Sequence, residues 1–568
     1  MKLNKLVEKV KRKFGVEIVA KTTEQAIVLE GEMDDWEKIV QVGYLFVGKS
    51  GKRRVVNNIR LKDAPPKAAE SFERDSSLEG KEYDVVVIGG GITGLAILRE
   101  LSRYPLKLLL LEKEADVARG ASGANDGMIH AGIDLKKGTL KWKYCLAGNR
   151  LYGKLAEELD FPFKRCGQYI VYGSLFERLV GTYILFKGRR LKVPGVRRVS
   201  REELLKAEPE LTWAKGAIQI ACTGVTSPYE ACVALAENAI ENGAEIALET
   251  ACLGFTIADG GIKEVETNSG RIRAKVVINA AGVFADEVAK MAGDQFYSIH
   301  PRKGTDLLFD NKLKLLNSAA SPIPTLKERK SRTKGGTLVL TCEGNILAGP
   351  DAVEVPDKTD TGTPKESVDR VFGKHSRVLP KLKESDIIAY FSGLRAATYE
   401  EDFIVEGSRN LKNFIHVAGI QSPGLTAAPA IALDVAEMVV KMLGDVEPKK
   451  DFKPYRKRIP RVKDLPLQER QELIKADPDF GKIVCRCEEV SLGEIKAAIR
   501  RPLPARTVDA IKRRVRAGMG RCQGGFCLPN VLKTLAEELD MDYLEVTKKG
   551  KGSEICLLET KGGDSDGV

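Results

Sequence analysis

The chain has 568 residues, more than a single hydrophobic core accommodates, so about three or four domains are expected. Its 43% hydrophobic and 30% charged residues are typical of a folded globular protein and exclude a disordered chain. The net charge of +12 is compatible with anionic ligands, but no nucleic-acid-binding motif accompanies it, so nucleic acid is not an expected partner.

The cellular compartment is predicted from the apolar segments of the chain, and the state of the cysteines follows from it. No apolar run reaches the length of a transmembrane helix, and the basic N-terminus has no apolar segment of the kind that a secretory signal carries. We therefore expect a cytoplasmic protein. Its 11 cysteines are then expected to be reduced thiols or metal ligands, not disulfides.

Residues 1–62 predict a small α/β domain. A basic helix is followed by two strands, a second helix and a last strand. Residues 63–81 are polar, contain the pair Pro65–Pro66 and have no apolar periodicity, so they predict a linker.

A nucleotide-binding motif opens the long region 82–445. A buried strand, DVVVIGG, leads into Gly89, Gly91 and Gly94 at the spacing GxGxxG, and an amphipathic helix follows. The next strand ends at Glu112, twenty-three residues after Gly89. The glycines permit a tight turn and close approach to a pyrophosphate, and the acid can hold ribose hydroxyls. The context favours a dinucleotide site over a merely structural turn.

The stretch after the second strand favours FAD over NAD. ARGASGANDGMIHAG, residues 118–132, is small, polar and rich in glycine, which suits a loop lying along an extended flavin nucleotide. Further along, residues 166–222 and 297–392 are less regular. We assign them to an antiparallel substrate-binding sheet interleaved with a Rossmann-like α/β domain.

Residues 446–479 predict a basic linker. Within Lys449–Lys463 there are eight Lys or Arg residues and one acid. We interpret this stretch first as a solvated linker and second as a docking surface.

Residues 480–545 predict a small helical domain with cysteines at both ends, followed by a tail at 546–568. Cys485-x-Cys487 and Cys522-x4-Cys527 are separated by thirty-four residues. Four thiolates suit a [2Fe–2S] cluster. Structural zinc is the alternative, although a Cys-x-Cys pair fits the usual zinc spacing less well.

Three parts of the chain resemble known families. Residues 83–443 resemble the amino-acid-oxidase-like FAD superfamily, and PRKGTDLLFD, FSGLRAAT and AGIQSPGLTAAPAIA are similar to FAD-dependent glycerol-3-phosphate dehydrogenases of the anaerobic type. GASGANDGMIHAGIDL and FPFKRCGQYIV also resemble L-2-hydroxyglutarate dehydrogenases. The C-terminal cysteine region resembles the bacterioferritin-associated-ferredoxin-like [2Fe–2S] domain, and residues 1–62 resemble a BON domain.

The resemblance implies the cofactor contacts. The residues implied to contact FAD are Lys113, Arg119, Ser122, Asn125, Gly127, Met128, Ala281 and Gly282. Those implied to face the isoalloxazine ring are Gly419, Gly424, Leu425 and Thr426.

Alcohol oxidation needs a base and, for an anionic substrate, fixed cations. His130 is the candidate base because it lies in the predicted flavin loop and its pKa is ordinarily near neutrality; hydrogen bonding to the flavin is the alternative role. Arg302, Lys303 and Arg395 lie at the predicted edges of the substrate sheet and are the candidates for binding a carboxylate or phosphate.

These elements together predict an FAD-dependent dehydrogenase that oxidises sn-glycerol 3-phosphate. Electrons would leave through the cluster to a protein partner, either an NAD-linked flavoprotein or a quinone-linked reductase, in a hetero-oligomer with peripheral membrane contact. L-2-hydroxyglutarate or a related hydroxy or amino acid is the alternative substrate, and a flavin and iron–sulfur redox-responsive binding module is the alternative function.

Basic residues near the cluster are expected to offset its charge and to form a positive docking face. They are Lys512, Arg513, Arg514, Arg516 and Arg521.

Overall fold

The computed structural model describes residues 2–48, 53–64, 72–324 and 336–558. Part of the predicted linker 63–81 and the end of the tail 546–568 lie outside these ranges. The N-terminal unit has the predicted element order: helix Lys2–Phe14, strands Ile18–Thr22 and Ala26–Met33, helix Trp36–Phe46 and strand Arg54–Leu61. The first two strands pair antiparallel and the last pairs parallel with the second.

The nucleotide domain is built on a mixed sheet whose central strands are parallel and some of whose outer strands pair antiparallel. Its central strand, Glu82–Ile88, pairs in parallel with Leu108–Leu111 on one side and with Gly270–Asn279 on the other. The remaining strands are Glu245–Ala247, Cys252–Ala258, Gly261–Thr267, Ile404–Gly407 and Phe414–Ala418. The helices are Ile92–Leu101, Leu140–Leu159, Pro228–Glu241, Ala285–Met291 and Gly424–Met442. Continuous apolar runs form these central strands because both faces of the sheet are covered by other elements.

The interleaved substrate sheet is confirmed. Within the part of the chain that the structure describes, it has nine strands, and all of their pairs are antiparallel except that of Ala319–Pro322 with Gln168–Tyr172. The other strands are Val196–Val199, Gly216–Ile220, Ile299–Phe309, Thr337–Leu340, Ile346–Gly349, Val353–Glu354 and Ile387–Thr398. Helices Leu175–Arg190, Arg201–Ala207 and Lys365–His375 belong to this region. A third, small sheet consists of strands Met128–Ile129, Phe163–Lys164 and Gly224–Thr226. These strands lie where the chain passes from one of the larger sheets to the other.

The C-terminal region is helical, as predicted. It contains helices Leu467–Ala476, Leu492–Ile499, Val508–Val515 and Leu528–Leu539 and the short strands Ile483–Cys485 and Val490–Ser491. Ser491 and Glu494 form a capping box, which satisfies the first backbone donors of the helix that follows.

Part of the basic stretch 449–463 packs on the nucleotide domain, so the interpretation as a solvated linker is wrong for Arg456 and Arg461, whereas Lys450, Lys453, Lys457 and Arg458 are exposed. The guanidinium of Arg456 is buried and donates to Glu237 at 2.5 Å, and Arg461 donates to both carboxylate oxygens of Glu230 at 2.8 and 2.9 Å. Both acids lie on helix Pro228–Glu241 of the nucleotide domain, which therefore supplies the partners of these two arginines.

Among the described residues, none of the helices combines the length and the apolarity that a membrane-spanning segment requires.

Candidate active site

The glycine-rich turn has the geometry that a pyrophosphate needs. Gly89 has a φ of +113°, and a Cβ there would come 2.5 Å from the Ala280 carbonyl oxygen. A Cβ on Gly94 would overlap the Gly89 carbonyl oxygen. A Cβ on Gly91 would meet only Ser122 Oγ, at 3.1 Å. Close packing therefore requires glycine at positions 89 and 94, and Gly91 exposes backbone with only the Ser122 hydroxyl nearby at the start of helix Ile92–Leu101.

Glu112 lies beside this turn. Its carboxylate accepts hydrogen bonds from the backbone N–H of Gly90 at 2.7 Å and of Glu114 at 3.0 Å. Burial raises the pKa of Glu112 to about 7, although these two bonds favour the ionised form. Each oxygen keeps a further lone pair, so a ribose hydroxyl could still donate to it.

Hydrogen bonds within the loop 119–128 fix its conformation. Ser122 Oγ accepts from the Ile92 N–H at 2.9 Å, which places Ser122 at the start of the first helix. Asn125 Nδ2 donates to the carbonyls of Ala121 and Ser122, while its Oδ1 accepts from the Gly127 N–H at 2.9 Å. Because these bonds fix the loop, its backbone can lie along an extended ligand without further ordering.

Three further predicted cofactor positions, Lys113, Ala281 and Gly282, lie close to the glycine-rich turn. The ammonium of Lys113 lies 4.3 Å from the ring centre of Phe284, next to Ala281 and Gly282. Gly282 has a φ of +59°, and a Cβ there would meet nothing within 4 Å. This backbone therefore also borders open space.

The structure brings the predicted flavin-facing segment and the candidate base together. Thr426 Oγ1 accepts a hydrogen bond of 2.9 Å from the His130 backbone N–H, and Met128 O accepts from the same hydroxyl at 3.5 Å. The His130 Nε2 atom lies 3.5 Å from Ser422 Oγ. Gly424, Leu425 and Thr426 begin helix Gly424–Met442, whose first N–H groups are therefore directed at the same region.

Gly419 and Leu425 hold this segment in place. Gly419 has a φ of +66°, and a Cβ there would come 2.8 Å from Thr398 Cγ2. The Leu425 carbonyl accepts from the Tyr152 hydroxyl at 2.8 Å. Two helix starts, the glycine backbone of the turn and one carboxylate are therefore the features that could hold a dinucleotide such as FAD.

Arg302 lies within a buried polar network. Its guanidinium donates to Glu354 at 2.7 Å, to Glu401 at 2.7 Å and to the Tyr44 hydroxyl at 2.8 Å, and Nη1 lies 3.4 Å from Gln421 Oε1. Burial lowers the pKa of Arg302, but the carboxylates of Glu401 and Glu354 outweigh it and hold that pKa above its usual value. Because protein groups accept the hydrogen bonds of its guanidinium, Arg302 stabilises the surrounding network and is not the residue that we expect to bind a ligand.

Arg395 lies opposite Arg302 on the neighbouring strand. The two residues differ in how many of their guanidinium donors have a partner. Its Nη2 donates to the Asp351 carbonyl at 3.0 Å, whereas the buried Nη1 has no hydrogen-bond partner among the described residues. Burial lowers the pKa of Arg395, opposed by the charge of Asp306. On the same strand face, Gly393 packs so closely on Ala124 of the predicted FAD loop that a Cβ would overlap its carbonyl.

The other predicted cations contact acids instead of this region. Lys303 is on the opposite face of the strand from Arg302 and its ammonium pairs with Asp360 at 2.7 Å. Arg119 pairs with Asp509 of the C-terminal region at 3.1 Å.

Several residues of the site were not found from the sequence. Asp306 follows Arg302 by four residues, so strand alternation places both on one face, and its buried Oδ1 lacks a partner among the described residues. Burial raises the pKa of Asp306 well above its usual value. Glu401 also approaches Lys141, at 3.6 Å. Tyr44 comes from the N-terminal unit, and no local pattern could have assigned it to this site.

The four C-terminal cysteines lie together as two pairs. Cys485 is within hydrogen-bonding distance of Cys527, and Cys487 of Cys522. Backbone N–H groups of Gly518, Glu488 and Cys487 also point at the Cys485 sulfur, and with the Cys527 thiol they lower the pKa of Cys485 to about 6. A Cβ on Gly520 would overlap Cys487 Cβ, so the two loops meet only because glycine is there.

This donor set fits a two-iron cluster better than a single metal ion. Within the described ranges, no three metal-binding side chains converge on one point. A [2Fe–2S] cluster does not need such a point, because each iron takes two thiolates and the bridging sulfides supply the rest.

Arg513 and Arg514 of helix Val508–Val515 hold the cluster region on the nucleotide domain, and Arg516 is buried in an ion pair within the C-terminal region, so the predicted positive docking face is wrong for these three residues. Arg514 donates to both oxygens of Asp116, at 2.8 and 3.0 Å, and both side chains are buried. Arg513 donates to the Ala118 carbonyl at 3.3 Å, and Arg516 to Glu488 at 2.8 Å. Only Arg521 of this group has a largely exposed side chain. The cluster region thus contacts the segment that leads into the predicted FAD loop.

Comparisons with known proteins agree with this geometry. Residues 84–438 match the family model described as FAD dependent oxidoreductase, and residues 483–537 match the BFD-like [2Fe-2S] binding domain. The glycerol 3-phosphate dehydrogenase of Caloramator mitchellensis is 40% identical over 481 residues, covering 84% of this chain and 99% of that protein.

Two further relatives cover the central part of the chain. The FAD-bound structure of L-alpha-glycerophosphate oxidase from Mycoplasma pneumoniae superposes with a TM-score of 0.61 at 29% identity, covering 66% of this chain and 99% of that one. The human mitochondrial L-2-hydroxyglutarate dehydrogenase is 28% identical over 423 residues, 64% of this chain and 90% of that protein.

The comparisons confirm FAD and a [2Fe–2S] cluster as the cofactors, while the resemblance of residues 1–62 to a BON domain stays a prediction. With a glycine-rich turn and an acid that suit a dinucleotide, paired cysteines that fit two irons and family models over both regions, the chain belongs to the FAD-dependent oxidoreductases and carries a BFD-like [2Fe–2S] domain.

Proposed function

We propose that this chain oxidises sn-glycerol 3-phosphate to dihydroxyacetone phosphate. The observation that carries the proposal is the buried Nη1 of Arg395, which has no partner among the described residues and lies on a strand face that contacts the predicted FAD loop at Ala124. A planar guanidinium with a free donor suits a phosphate oxygen. The likeness over nearly the whole length of the Caloramator glycerol 3-phosphate dehydrogenase supports the same substrate.

The roles of the surrounding residues follow from their contacts. When bound, FAD supplies the acceptor for the hydride that leaves the secondary alcohol carbon. Arg395 binds the phosphate, and His130 takes the hydroxyl proton on Nε2, the ring atom that faces Ser422. Thr426 fixes the His130 backbone, and so positions the imidazole relative to the start of helix Gly424–Met442.

The same residues would hold the cofactors. FAD would be held by Gly89, Gly91, Gly94 and Glu112, by the loop that contains Ser122, Asn125 and Gly127, and by Gly424, Leu425 and Thr426. The four cysteines Cys485, Cys487, Cys522 and Cys527 would ligate the cluster. The cluster would supply a one-electron route to a protein partner, in a hetero-oligomer with an NAD-linked or quinone-linked subunit.

An anaerobic titration tests the substrate. The holoenzyme is mixed with sn-glycerol 3-phosphate, with L-2-hydroxyglutarate or with glycerol, and bleaching of the oxidised flavin absorbance is followed. Rapid bleaching by glycerol 3-phosphate alone is expected. Bleaching by L-2-hydroxyglutarate instead would favour the activity of the human relative, since a guanidinium also binds carboxylate. No bleaching by any acid would favour a redox-responsive binding module.

A further inference from the structure

Helix Leu175–Arg190 packs tightly on the substrate sheet with one face. It begins at a capping box formed by Ser174 and Glu177. A Cβ on Gly181 would meet Ile218 at 3.4 Å, and one on Gly188 would come 2.8 Å from Ile133. Val180 and Leu185 are buried on the same face. This face alone is enough to attach the helix to the domain.

The opposite face is apolar as well, and it is exposed. Five large apolar side chains on this helix are each 62–73% exposed: Leu175, Phe176, Leu179, Tyr183 and Phe186. At about 100° per residue their positions fall within a sector of roughly 100°, directed away from the buried face. A soluble surface helix ordinarily carries polar residues there, so this face, which we call the exposed stripe, indicates a binding surface.

Cations border the exposed stripe. Arg178, Arg189, Arg190 and the nearby Lys192 are exposed. The one acid of the helix, Glu177, uses its carboxylate to accept from the backbone N–H groups of Gly173 and Ser174. The surface is therefore an apolar strip with a positive border.

The charge of the border disfavours a second copy of this chain as the occupant. A second copy placed symmetrically on the stripe would bring these arginines against one another, which is unfavourable. A bilayer with anionic headgroups attracts the cations and accepts the apolar side chains, and aromatic residues such as Phe176, Tyr183 and Phe186 suit its interface. We propose that helix Leu175–Arg190 attaches the protein peripherally to an anionic lipid surface through the exposed stripe.

Vesicle flotation with the full-length holoenzyme tests this inference. Vesicles of phosphatidylcholine alone are compared with an equimolar mixture of phosphatidylcholine and phosphatidylglycerol. The wild type should float with the mixed vesicles. The double variant Leu179→Asp/Phe186→Asp should lower the partition coefficient by about tenfold or more, because it places two charges in the apolar strip. The matched control is Leu467→Asp, which alters a side chain 69% exposed on another helix and should float like the wild type.

Further arms separate the alternatives. Arg178→Glu/Arg189→Glu should weaken binding to the mixed vesicles, and added salt should do the same to the wild type. Bleaching of the flavin by substrate should be unchanged in all variants, so a failure of the proposed activity remains distinct. Absence of wild-type binding, or equal binding by the Leu179→Asp/Phe186→Asp variant, would overturn the inference. So would a wild-type dimer in light scattering that this variant abolishes, since that result assigns the stripe to a second copy.

Discussion

The Tyr44 hydroxyl donates a hydrogen bond of 2.6 Å to Glu401 Oε1, across 357 positions of sequence. The same hydroxyl accepts from Arg302 at 2.8 Å. One residue of the N-terminal unit therefore joins the polar network that reaches Gln421, in the segment expected to face the flavin. Gly43 makes this approach feasible, because a Cβ there would overlap the Tyr399 ring.

Removing the Tyr44 hydroxyl should destabilise this network. Tyr44→Phe keeps the ring but leaves Arg302 and Glu401 each without one buried bond, so the unfolding free energy should fall by about 1–3 kcal/mol. Denaturant unfolding measures this free energy. The control is Tyr455→Phe, which alters an exposed tyrosine. Equal stability of Tyr44→Phe and wild type would contradict a bonded role for this hydroxyl.

Glu401 should make stability depend on pH in the acid range. Burial raises its pKa, but the hydrogen bond and charge of Arg302 outweigh that and lower it to about 2, from an ordinary value of 4.5. The contribution is therefore complete above about pH 4.5 and is lost as the pH falls towards 2; the shift corresponds to about 3 kcal/mol. The difference in unfolding free energy between wild type and Glu401→Gln, measured against pH, should shrink over this window. A pH-independent difference would show that the pKa is not depressed.

Arg395 should govern substrate affinity. Arg395→Ala is expected to weaken binding of glycerol 3-phosphate by about 2–4 kcal/mol, because it removes a charge-assisted contact in a buried site. Lys303→Ala is the matched control, since Lys303 is also a buried cation of this sheet but pairs with Asp360. Flavin titration gives the dissociation constants. Unchanged affinity in Arg395→Ala would remove Arg395 from the proposed site.

Cys522 should be needed for electron exit but not for flavin reduction. The anaerobic wild type should contain about two irons and two sulfides per chain. Cys522→Ser should lose the cluster signal and turnover with the partner protein, while substrate still bleaches the flavin and a dye that accepts electrons from FAD still supports turnover. Cys556→Ser, outside the proposed ligand set, should behave like the wild type. Normal turnover of Cys522→Ser with the partner would exclude the cluster as the exit.

The pair Arg514–Asp116 should hold the cluster region against the nucleotide domain. Arg514→Ala leaves a buried carboxylate unpaired and should cost about 3–5 kcal/mol. Arg500→Ala breaks a more exposed pair with Glu538 and should cost less than about 1 kcal/mol. Unfolding and proteolytic cleavage between the two regions report the effect. Equal costs for the two variants would contradict the proposed role of the buried pair.

Much of the architecture follows from local sequence. The glycines at 89, 91 and 94, the acid at 112 and the cysteine spacing each carry a chemical requirement within a short stretch, so the cofactors could be predicted before any fold was known. The apolar runs of the central strands likewise predict a sheet covered on both faces, because burial on each side leaves no polar alternation.

The partners of charged side chains were decided only by the tertiary structure. From the sequence, Arg302 and Arg395 are both candidates for binding the substrate anion, with Arg395 favoured. Arg456 and Arg461 belong to a predicted solvated linker, and Arg514 is expected to offset the charge of the cluster. In the fold, Arg302 is fully engaged by Glu354, Glu401 and Tyr44, whereas Arg395 keeps a free donor. Charge in a sequence specifies that a partner is needed but not which one, because ion pairs form between residues hundreds of positions apart. Only the packing of domains determines whether a given arginine faces solvent, another domain or a ligand.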